Sequence, residues 1–268
     1  MEEDFSKYNG EGTMLRKAQL RMLDILVEVD KICRKHNIPY WLEYGTLLGA
    51  VRHGGFIPWD DDLDIAMMKE DYDRFLSIAP QELPDQFVIQ NLSTEKSFPL
   101  PLTKIVDKYS KTQDNTMPFS HKKLKYTGVW IDIFPLLKGN ICFRSWLNPL
   151  YGRCFRRVHH VEPFGLKVAI AYVLYPVVWL LKQLMVFFCG FCDDDLRMDE
   201  FAINFHSSKK QKHKCDYLPT KDILFENITV SVPKNYLKIL SDTYGDYMQI
   251  PPKEKRETHT SYFEFTTK

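Results

Sequence analysis

The sequence predicts an α+β fold, a mixed β-sheet flanked by helices, from three observations. Apolar residues recur at helical spacing over residues 14–36, and Thr13 is placed to cap that helix. Residues 39–67 follow the order strand, Gly-Thr turn, helix, Gly-Gly break and strand. Residues 128–135, GVWIDIFP, are almost entirely apolar, as a central strand buried on both faces is. Since no clean linker interrupts the chain, residues 1–268 are expected to form one domain.

Bulk composition excludes several classes of protein. The net charge is +1, from 36 basic and 35 acidic residues, so no overall positive field would favour nucleic acid, and no nucleic-acid partner is expected. The N-terminus is acidic and lacks the apolar segment of a secretory signal. Six unevenly spaced cysteines indicate free thiols rather than a disulfide framework. These features predict a cytoplasmic protein, with a peripheral place at the inner face of the cell membrane as an option.

Four aspartates fall within five positions, 60–64. At an effective dielectric of about 20 and roughly 5 Å separation, each pair of charges costs on the order of 3 kcal/mol. A folded protein keeps such a cluster when water solvates it or when a cation neutralises it. The neighbours Trp59, Leu63 and Ile65 indicate a buried strand, which favours the cation.

The predicted strand 62–67 divides the cluster into parts. Asp62 and Asp64 are two residues apart, so both carboxylates project from one face, where one divalent ion could bridge them. Asp60 could join from the mouth of the strand. Asp61 points the other way and is expected to be solvated or to cap a backbone group.

The string YGTLLGAVRHGGFIPWDDDLDI, residues 44–65, resembles the LicD family. That family has the nucleotidyltransferase fold, is named for bacterial phosphocholine transferases, and includes the catalytic regions of fukutin and fukutin-related protein. The later stretches LFENITVSVP, YGDYM and PPKEKRETH also resemble LicD proteins. The resemblance therefore covers nearly the whole chain and is weakest over residues 140–215.

The resemblance implies a nucleotidyltransferase-like sheet and a phosphotransferase that depends on Mg²⁺ or Mn²⁺. It would move a phospho-alcohol, above all phosphocholine, from a CDP-linked donor such as CDP-choline, and CMP would leave. The implied acceptor is a sugar hydroxyl on a cell-surface glycan or its lipid-linked precursor, as in the biosynthesis of lipopolysaccharide or teichoic acid.

The resemblance also implies roles for individual residues. A lone aspartate inside an apolar strand is costly to bury unless it is paired or metal-bound, and on its own Asp132 would more often be a hydrogen-bonded structural residue. Beside the 60–64 cluster it resembles the third catalytic carboxylate, either completing the metal shell or taking the proton of the acceptor. The implied metal ligands are Asp60, Asp62, Asp64 and Asp132, of which the last three are catalytic.

The expected substrate-binding residues lie on several elements. Gly45 and Thr46, at the start of a helix, would cradle donor phosphate, and Arg52 could reach it from the end of that helix. Lys104 is a candidate phosphate ligand whose alternative is a snorkelling surface lysine. Glu226 is expected to approach the site, as a similar glutamate does in relatives.

Residues 140–215 are predicted to be a helical apolar insertion. A basic lead-in from Arg144 is followed by an uninterrupted apolar run, 168–181, which is shorter than the roughly 20 residues that a spanning helix needs. Two interpretations stay open: a helix on an anionic membrane face, with contact through 144–188, or a pair of core helices kinked near Pro176. The lysine-rich stretch 209–214 is expected to be a solvated loop.

Two other functional classes compete with the phosphotransferase. A metal-dependent glycosyltransferase also uses an Asp-x-Asp motif, but the preceding Gly-Thr helix favours the nucleotidyltransferase arrangement. A non-catalytic glycan- or nucleotide-binding relative is disfavoured because all the expected carboxylates are present.

Overall fold

A mixed β-sheet forms the centre of the protein, which confirms the predicted α+β class. The computed structural model describes residues 4–98, 100–114, 124–138, 141–159, 165–189, 198–199, 212–256, 258 and 260–266. The strands of the sheet are β1 (Trp41–Leu42), β2 (Asp64–Met68), β3 (Phe87–Gln90), β4 (Thr103–Asp107), β6 (Trp130–Lys138) and β7 (Met198–Asp199).

The strand order places the two aspartate-bearing strands side by side. It runs β1-β2-β6-β4-β3, with β7 paired to the far end of β6. The β2–β6 pairing is parallel, and the other pairings are antiparallel. Two small ladders lie outside this sheet: β5 (Ser110–Asp114) with β10 (Thr260–Phe265), and β8 (Lys221–Phe225) with β9 (Ile228–Val232).

Helices cover the sheet where the sequence expected them. Thr13 caps the first long helix by accepting a hydrogen bond from the Arg16 N–H at 3.2 Å, as predicted. The helices are α1 (Ser6–Asn9), α2 (Met14–Lys35), α3 (Tyr44–His53), α4 (Lys69–Glu82), α5 (Ile141–His159), α6 (Leu166–Cys189), α7 (Lys214–Tyr217) and α8 (Tyr236–Tyr244). A short 3₁₀ turn spans Lys253–Lys255.

The two faces of the sheet are unequally filled. On one face Ile65, Met67, Ile131 and Ile133 pack under α2 and α4 in the largest apolar cluster. The other face has a smaller apolar cluster. It includes Phe134 and other residues that alternate along the strands with those of the first face. That second face also carries the polar side chains at positions 64, 132 and 104, because side chains alternate along a strand.

The helical insertion has an apolar cluster of its own. Helices α5 and α6 pack on each other through this cluster, and Leu92 and Leu137 of the sheet domain pack against it. Residues Leu166–Met185 form a helix that is long and apolar enough to cross a membrane by length and composition, and 22% of that window is buried. A core helix would be mostly buried, so the predicted pair of core helices is wrong for α6. Residues 140, 160–164, 190–197 and 200–211 of the predicted 140–215 insertion lie outside the described residues, and the single-domain organisation stays a prediction.

A close backbone approach ties the start of β6 to the turn between β4 and β5. Asp107 is fully buried, accepts a hydrogen bond from the Ser110 hydroxyl at 2.6 Å, and pairs with Arg21 at 3.0 Å. A Cβ atom on Gly128 would lie 1.9 Å from the Asp107 carbonyl oxygen. Only glycine therefore fits here without moving the backbone.

Gly128→Ala should lower the free energy of unfolding by about 1–3 kcal/mol or more, because the added methyl group overlaps a backbone oxygen. Gly152→Ala is the matched control, since its Cβ would meet nothing within 4 Å and alanine favours a helix by roughly 0.5–1 kcal/mol. Urea unfolding of the two variants measures the difference. Equal stability of the two variants would contradict the close approach.

Candidate active site

The start of β2 is fastened to the start of α3. Strand β2 begins at Asp64, so Asp62 lies just before the strand rather than within it, as the predicted strand 62–67 had it. The Asp64 N–H donates to Thr46 Oγ1 at 2.8 Å, and the Glu43 N–H donates to the Asp64 carbonyl at 3.0 Å. These two bonds fix the first strand carboxylate against the helix start.

Three polar side chains form a row across three adjacent strands. Asp64 on β2 is the register partner of Asp132 on β6, which is also the partner of Lys104 on β4. Directly opposite residues project to the same face of a sheet. The Lys104 ammonium lies 3.7 Å from Asp132 Oδ1, and Trp130 Nε1 donates to Asp132 Oδ2 at 3.1 Å. The central carboxylate is thus oriented by an indole and lies between a carboxylate and a cation.

The aspartates of the 60–64 loop and β6 share one electrostatic field. Burial raises the pKa of Asp64 well above its usual range, and the charges of Asp62, Asp132 and Asp60 add to that rise while Lys104 opposes it. The pKa of Asp60 is also raised well above its usual range, first by burial and then by the charges of Asp62 and Asp61. Carboxylates that raise one another's pKa in this way attract protons or cations.

The donor chemistry fits a hard divalent cation, but a complete cage is not preassembled. Among the described residues no three His, Cys, Asp or Glu side chains converge closely enough to hold a metal ion. Carboxylate oxygens are the ligands that Mg²⁺ prefers, and this ion commonly takes one or two carboxylates together with water and substrate phosphate. The loop and strand aspartates suit that open mode of binding, and their role as ligands stays a prediction.

Gly45 and Thr46 lie against the acidic cluster. A Cβ atom on Gly45 would be 2.8 Å from Asp60 Oδ2, so the missing side chain lets that carboxylate approach the helix start. Thr46 is buried, and its hydroxyl accepts the Asp64 N–H described above. The anion next to the helix start in this structure is therefore the protein's own Asp60.

Lys104 is an interior residue. It is 9% exposed, and its ammonium lies 3.7 Å from the centre of the Trp130 ring. The alternative of a snorkelling surface lysine is therefore wrong. A buried ammonium has three donors, so Lys104 in contact with Asp132 is suited to bind a second anion as well.

Arg52 is anchored to the C-terminal part of the chain. Its guanidinium donates to the carbonyls of Tyr247 at 3.0 Å and Gln249 at 3.3 Å. Burial lowers the pKa of Arg52, against the favourable charges of Tyr244 and Asp60. Arg52 is therefore within electrostatic range of the cluster while its hydrogen bonds hold it elsewhere.

Glu226 is held at the other side of α3. It accepts two hydrogen bonds from Arg16, at 3.1 and 2.7 Å, and one from the Phe56 N–H at 3.1 Å. A Cβ atom on Gly55 would lie 2.3 Å from its Oε1. In this arrangement Glu226 braces the loop that follows α3, and the structure does not bring it into the row of Asp64, Asp132 and Lys104.

Asp61 is buried, not solvated. It is 1% exposed, and its Oδ2 accepts a short hydrogen bond from the N–H of Thr260, the first residue of β10. The solvated alternative predicted for this residue is therefore wrong. Asp61 instead joins the acidic loop to the C-terminal strand.

Sequence reasoning missed three residues beside the cluster. Tyr244 at the end of α8 is 36% exposed; partial burial raises its pKa, and the charges of Asp64, Glu43 and Asp60 raise it further, so the phenol is within electrostatic range of these carboxylates. Glu43 is 2% exposed and accepts a hydrogen bond from Lys212 at 2.9 Å.

A weak sequence signal existed for Glu43 alone, an acid inside the apolar run before the Gly-Thr turn. Lys212 belongs to the lysine-rich stretch that was expected to be solvated, yet its side chain is only 11% exposed. Nothing local in the sequence indicated that Tyr244 would fold back onto the cluster.

The mixed sheet, the helix that starts beside β2 and the aspartates on parallel neighbouring strands define a nucleotidyltransferase-type domain. A family profile described as LicD/FKTN/FKRP, nucleotidyltransferase domain, matches residues 37–163. The chain carries a LicD-family domain over these residues. It is therefore a transferase of the LicD type.

Similarity to individual proteins extends beyond that domain. The lipopolysaccharide cholinephosphotransferase LicD of Haemophilus influenzae is 27% identical over 272 residues, covering 91% of this chain and 95% of that protein. The ribitol 5-phosphate transferase FKRP of Homo sapiens is 59% identical over 35 residues, which is 13% of this chain and 7% of FKRP. The ribitol-5-phosphate transferase FKTN of Mus musculus is 34% identical over 62 residues, 23% of this chain and 13% of FKTN.

The Glu226 ion pair gives a pH-dependent prediction. Burial raises the pKa of Glu226, but hydrogen bonds from Arg16 and the Phe56 amide outweigh it, so the pKa is lowered in the folded state. A lowered carboxylate pKa stabilises the fold above the unfolded value of about 4.3, and the effect is lost as the pH falls. Glu226→Gln should cost about 1–3 kcal/mol of unfolding free energy at neutral pH and much less at about pH 3.5.

Urea titrations at the two pH values measure that difference. Glu70→Gln, on the exposed side of α4, serves as the control and should be near neutral at both. A Glu226→Gln penalty that does not change with pH would contradict the ion-pair account.

Proposed function

We propose that the protein transfers phosphocholine, or a closely related phospho-alcohol, from a CDP-linked donor to a sugar hydroxyl, with release of CMP. The observation that carries the proposal is the row of Asp64, Asp132 and Lys104 on adjacent strands, within a chain that carries a LicD-family domain. Near full-length similarity to a cholinephosphotransferase supports choline as the alcohol, whereas similarity to the ribitol phosphate transferases covers short segments.

The reaction exchanges the phosphoanhydride bond of the donor for a phosphoester bond to the acceptor. The acceptor oxygen forms a bond to the phosphorus that carries the alcohol, the bond from that phosphorus to the CMP oxygen breaks, and the hydroxyl proton leaves. Asp132 would either take that proton or complete the metal shell, with Trp130 bonded to one of its oxygens and Lys104 3.7 Å from the other. Lys104 offsets negative charge beside it and would bind a donor phosphate oxygen.

A divalent ion, Mg²⁺ or Mn²⁺, is part of the proposal. Asp62 and Asp64 would hold it, with Asp60 and Asp132 as further ligands. When bound, such an ion supplies positive charge that orients the diphosphate and stabilises the leaving phosphate. The crowding of carboxylates around Asp64 supports this assignment, because their mutual repulsion falls when a cation lies between them.

The other proposed substrate-binding residues lie outside the row of Asp64, Asp132 and Lys104. Gly45 and Thr46 would face the donor phosphate once Asp60 turns toward the metal ion. Arg52 would reach the donor only after leaving the carbonyls of the C-terminal segment. Glu226 would contribute by holding the loop after α3. Each of these roles is a proposal about donor binding, separate from the chemistry at Asp132.

The proposed acceptor is a cell-surface glycan or its lipid-linked precursor. The name of the Haemophilus influenzae relative supports lipopolysaccharide as the acceptor class, and teichoic acid is the counterpart in cells without lipopolysaccharide. A cytoplasmic location at the inner face of the membrane, where such precursors are built, stays a prediction.

Asp62→Asn and Asp64→Asn should each reduce metal-dependent CMP release from CDP-choline by about 10²-fold or more, because each removes one ligand charge next to the diphosphate. Asp222→Asn is the control, as Asp222 lies in a surface ion pair with Arg34. Release of CMP is measured with Mg²⁺, with Mn²⁺ and with chelator. Near wild-type turnover by both variants would overturn the carboxylate assignment.

The same assay separates the rival functions. CDP-choline, CDP-ethanolamine, CDP-ribitol and nucleotide sugars are compared as donors. Turnover of a nucleotide sugar alone would establish the glycosyltransferase, and tight binding of a CDP donor without turnover would establish the non-catalytic relative.

Lys104→Gln should lower kcat/KM for the CDP donor by about 10- to 100-fold while the fold is kept, because glutamine is a polar side chain of similar size but without the charge. Lys108→Gln is the matched control, since Lys108 is an exposed lysine just after the same strand. Steady-state kinetics and a melting curve are recorded for both. Equal kcat/KM for the two variants would show that Lys104 only packs on Trp130.

A further inference from the structure

Helix α6 presents an unusually apolar surface to solvent. Twelve of the nineteen exposed large hydrophobic side chains among the described residues lie on this helix. Val173 is 75% exposed, and Val177, Leu180 and Phe188 are each more than half exposed. Scattered single exposures are ordinary, but a continuous face of this kind marks an interaction surface.

The buried side of α6 is a narrow seam. Its buried residues, Val168, Ala171, Val178 and Met185, follow the three-and-four spacing of a helix that packs on one partner. That partner is α5, through ring contacts such as Tyr151 with Tyr175 at 6.1 Å between centroids. Surface helices carry polar residues outside such a seam, whereas α6 carries leucine, valine, tryptophan and phenylalanine there.

The charges of the two helices are of one sign. Helices α5 and α6 together contain six basic residues and no acidic one. Lys167 at the start of α6 and Arg153 on α5 are exposed. A positive flank beside an apolar helix face is complementary to anionic lipid headgroups over an acyl layer.

The seam also argues for a helix that lies along the bilayer rather than across it. Helix α5 runs beside α6 in the opposite direction, since Lys182 packs over the Tyr151 ring at 4.3 Å while His159 contacts Tyr175. A spanning α6 would therefore carry Arg153 and Arg157 into the hydrocarbon, which is costly for charged groups.

We propose that the outer face of α6, together with the basic flank of α5, binds the surface of an anionic lipid bilayer in an interfacial orientation. This inference is independent of the proposed function, because it rests on the exposure and charge of the hairpin alone. If the proposed function holds as well, the contact would keep a lipid-linked acceptor close to the carboxylate row.

The test uses the full chain and co-sedimentation with vesicles. Vesicles of phosphatidylcholine containing about 30% phosphatidylglycerol are compared with pure phosphatidylcholine at low and high salt. The wild type should bind the anionic vesicles at low salt. The triple variant Val173→Asn, Val177→Asn, Leu180→Gln should bind about tenfold or more weakly, because these residues form one exposed stripe.

Matched controls and a local readout keep the result specific. Leu224→Gln with Leu237→Gln removes comparably exposed apolar side chains from two other elements, β8 and α8, and should leave vesicle binding unchanged. Trp179 is 45% exposed on α6, so vesicle binding should shift its emission to the blue, and Trp179→Phe should remove that shift. Melting curves confirm that the surface variants fold.

Three outcomes would overturn the proposal. These are no binding of the wild type to anionic vesicles, equal binding of the triple variant, or self-association in sedimentation velocity that the triple variant abolishes without any vesicle binding. Because CMP release from a soluble donor and acceptor is measured without lipid, failure of vesicle binding and failure of the proposed function can be told apart.

Discussion

The parallel pairing of β2 with β6 is the constraint on which the site depends. It sets Asp64 opposite Asp132, and the antiparallel pairing of β4 then brings Lys104 to the same row. A slip of one residue in either ladder would turn one of these side chains to the other face of the sheet. The apolar side chains that fill both faces of β2 and β6 therefore also fix the chemistry, because burial leaves a single register favourable.

The aspartates of the acidic loop repel one another, and this repulsion opposes folding unless the structure offsets it. These aspartates are not equivalent. Asp61 accepts a hydrogen bond from a backbone amide of β10, whereas Asp60, Asp62 and Asp64 interact through their charges with one another and with Asp132. The glycine at position 45 lets Asp60 approach the start of α3, where the helix dipole favours a negative charge. The fold thus concentrates negative charge at one place, and this concentration is the reason for proposing a cation there.

Local patterns predicted many of the elements and placed Asp64 and Asp132 on buried strands. Helix α2 with its Thr13 cap and the two buried strands follow from periodicity and turn residues within a short window. The position of Asp62 just outside β2 reflects the uncertainty of strand ends, which depend on which backbone groups find partners.

Contacts between distant segments could not be predicted in this way. The hydrogen bond from Thr260 to Asp61, the approach of Tyr244 to the cluster and the burial of Lys212 against Glu43 each join residues far apart in the chain. Periodicity carries no information about such pairings. The same holds for the exposed face of α6, since an apolar sequence fits a buried helix and a helix against lipid equally well.

The bond between Asp61 and the first residue of β10 makes the C-terminal strand a part of the acidic loop. A chain shortened before Thr260 would leave a buried carboxylate without that backbone donor, and it would also remove the partner strand of β5. Strand β10 is thus a structural brace for a loop 199 residues earlier. A change that displaces β10 acts on the geometry of the candidate active site.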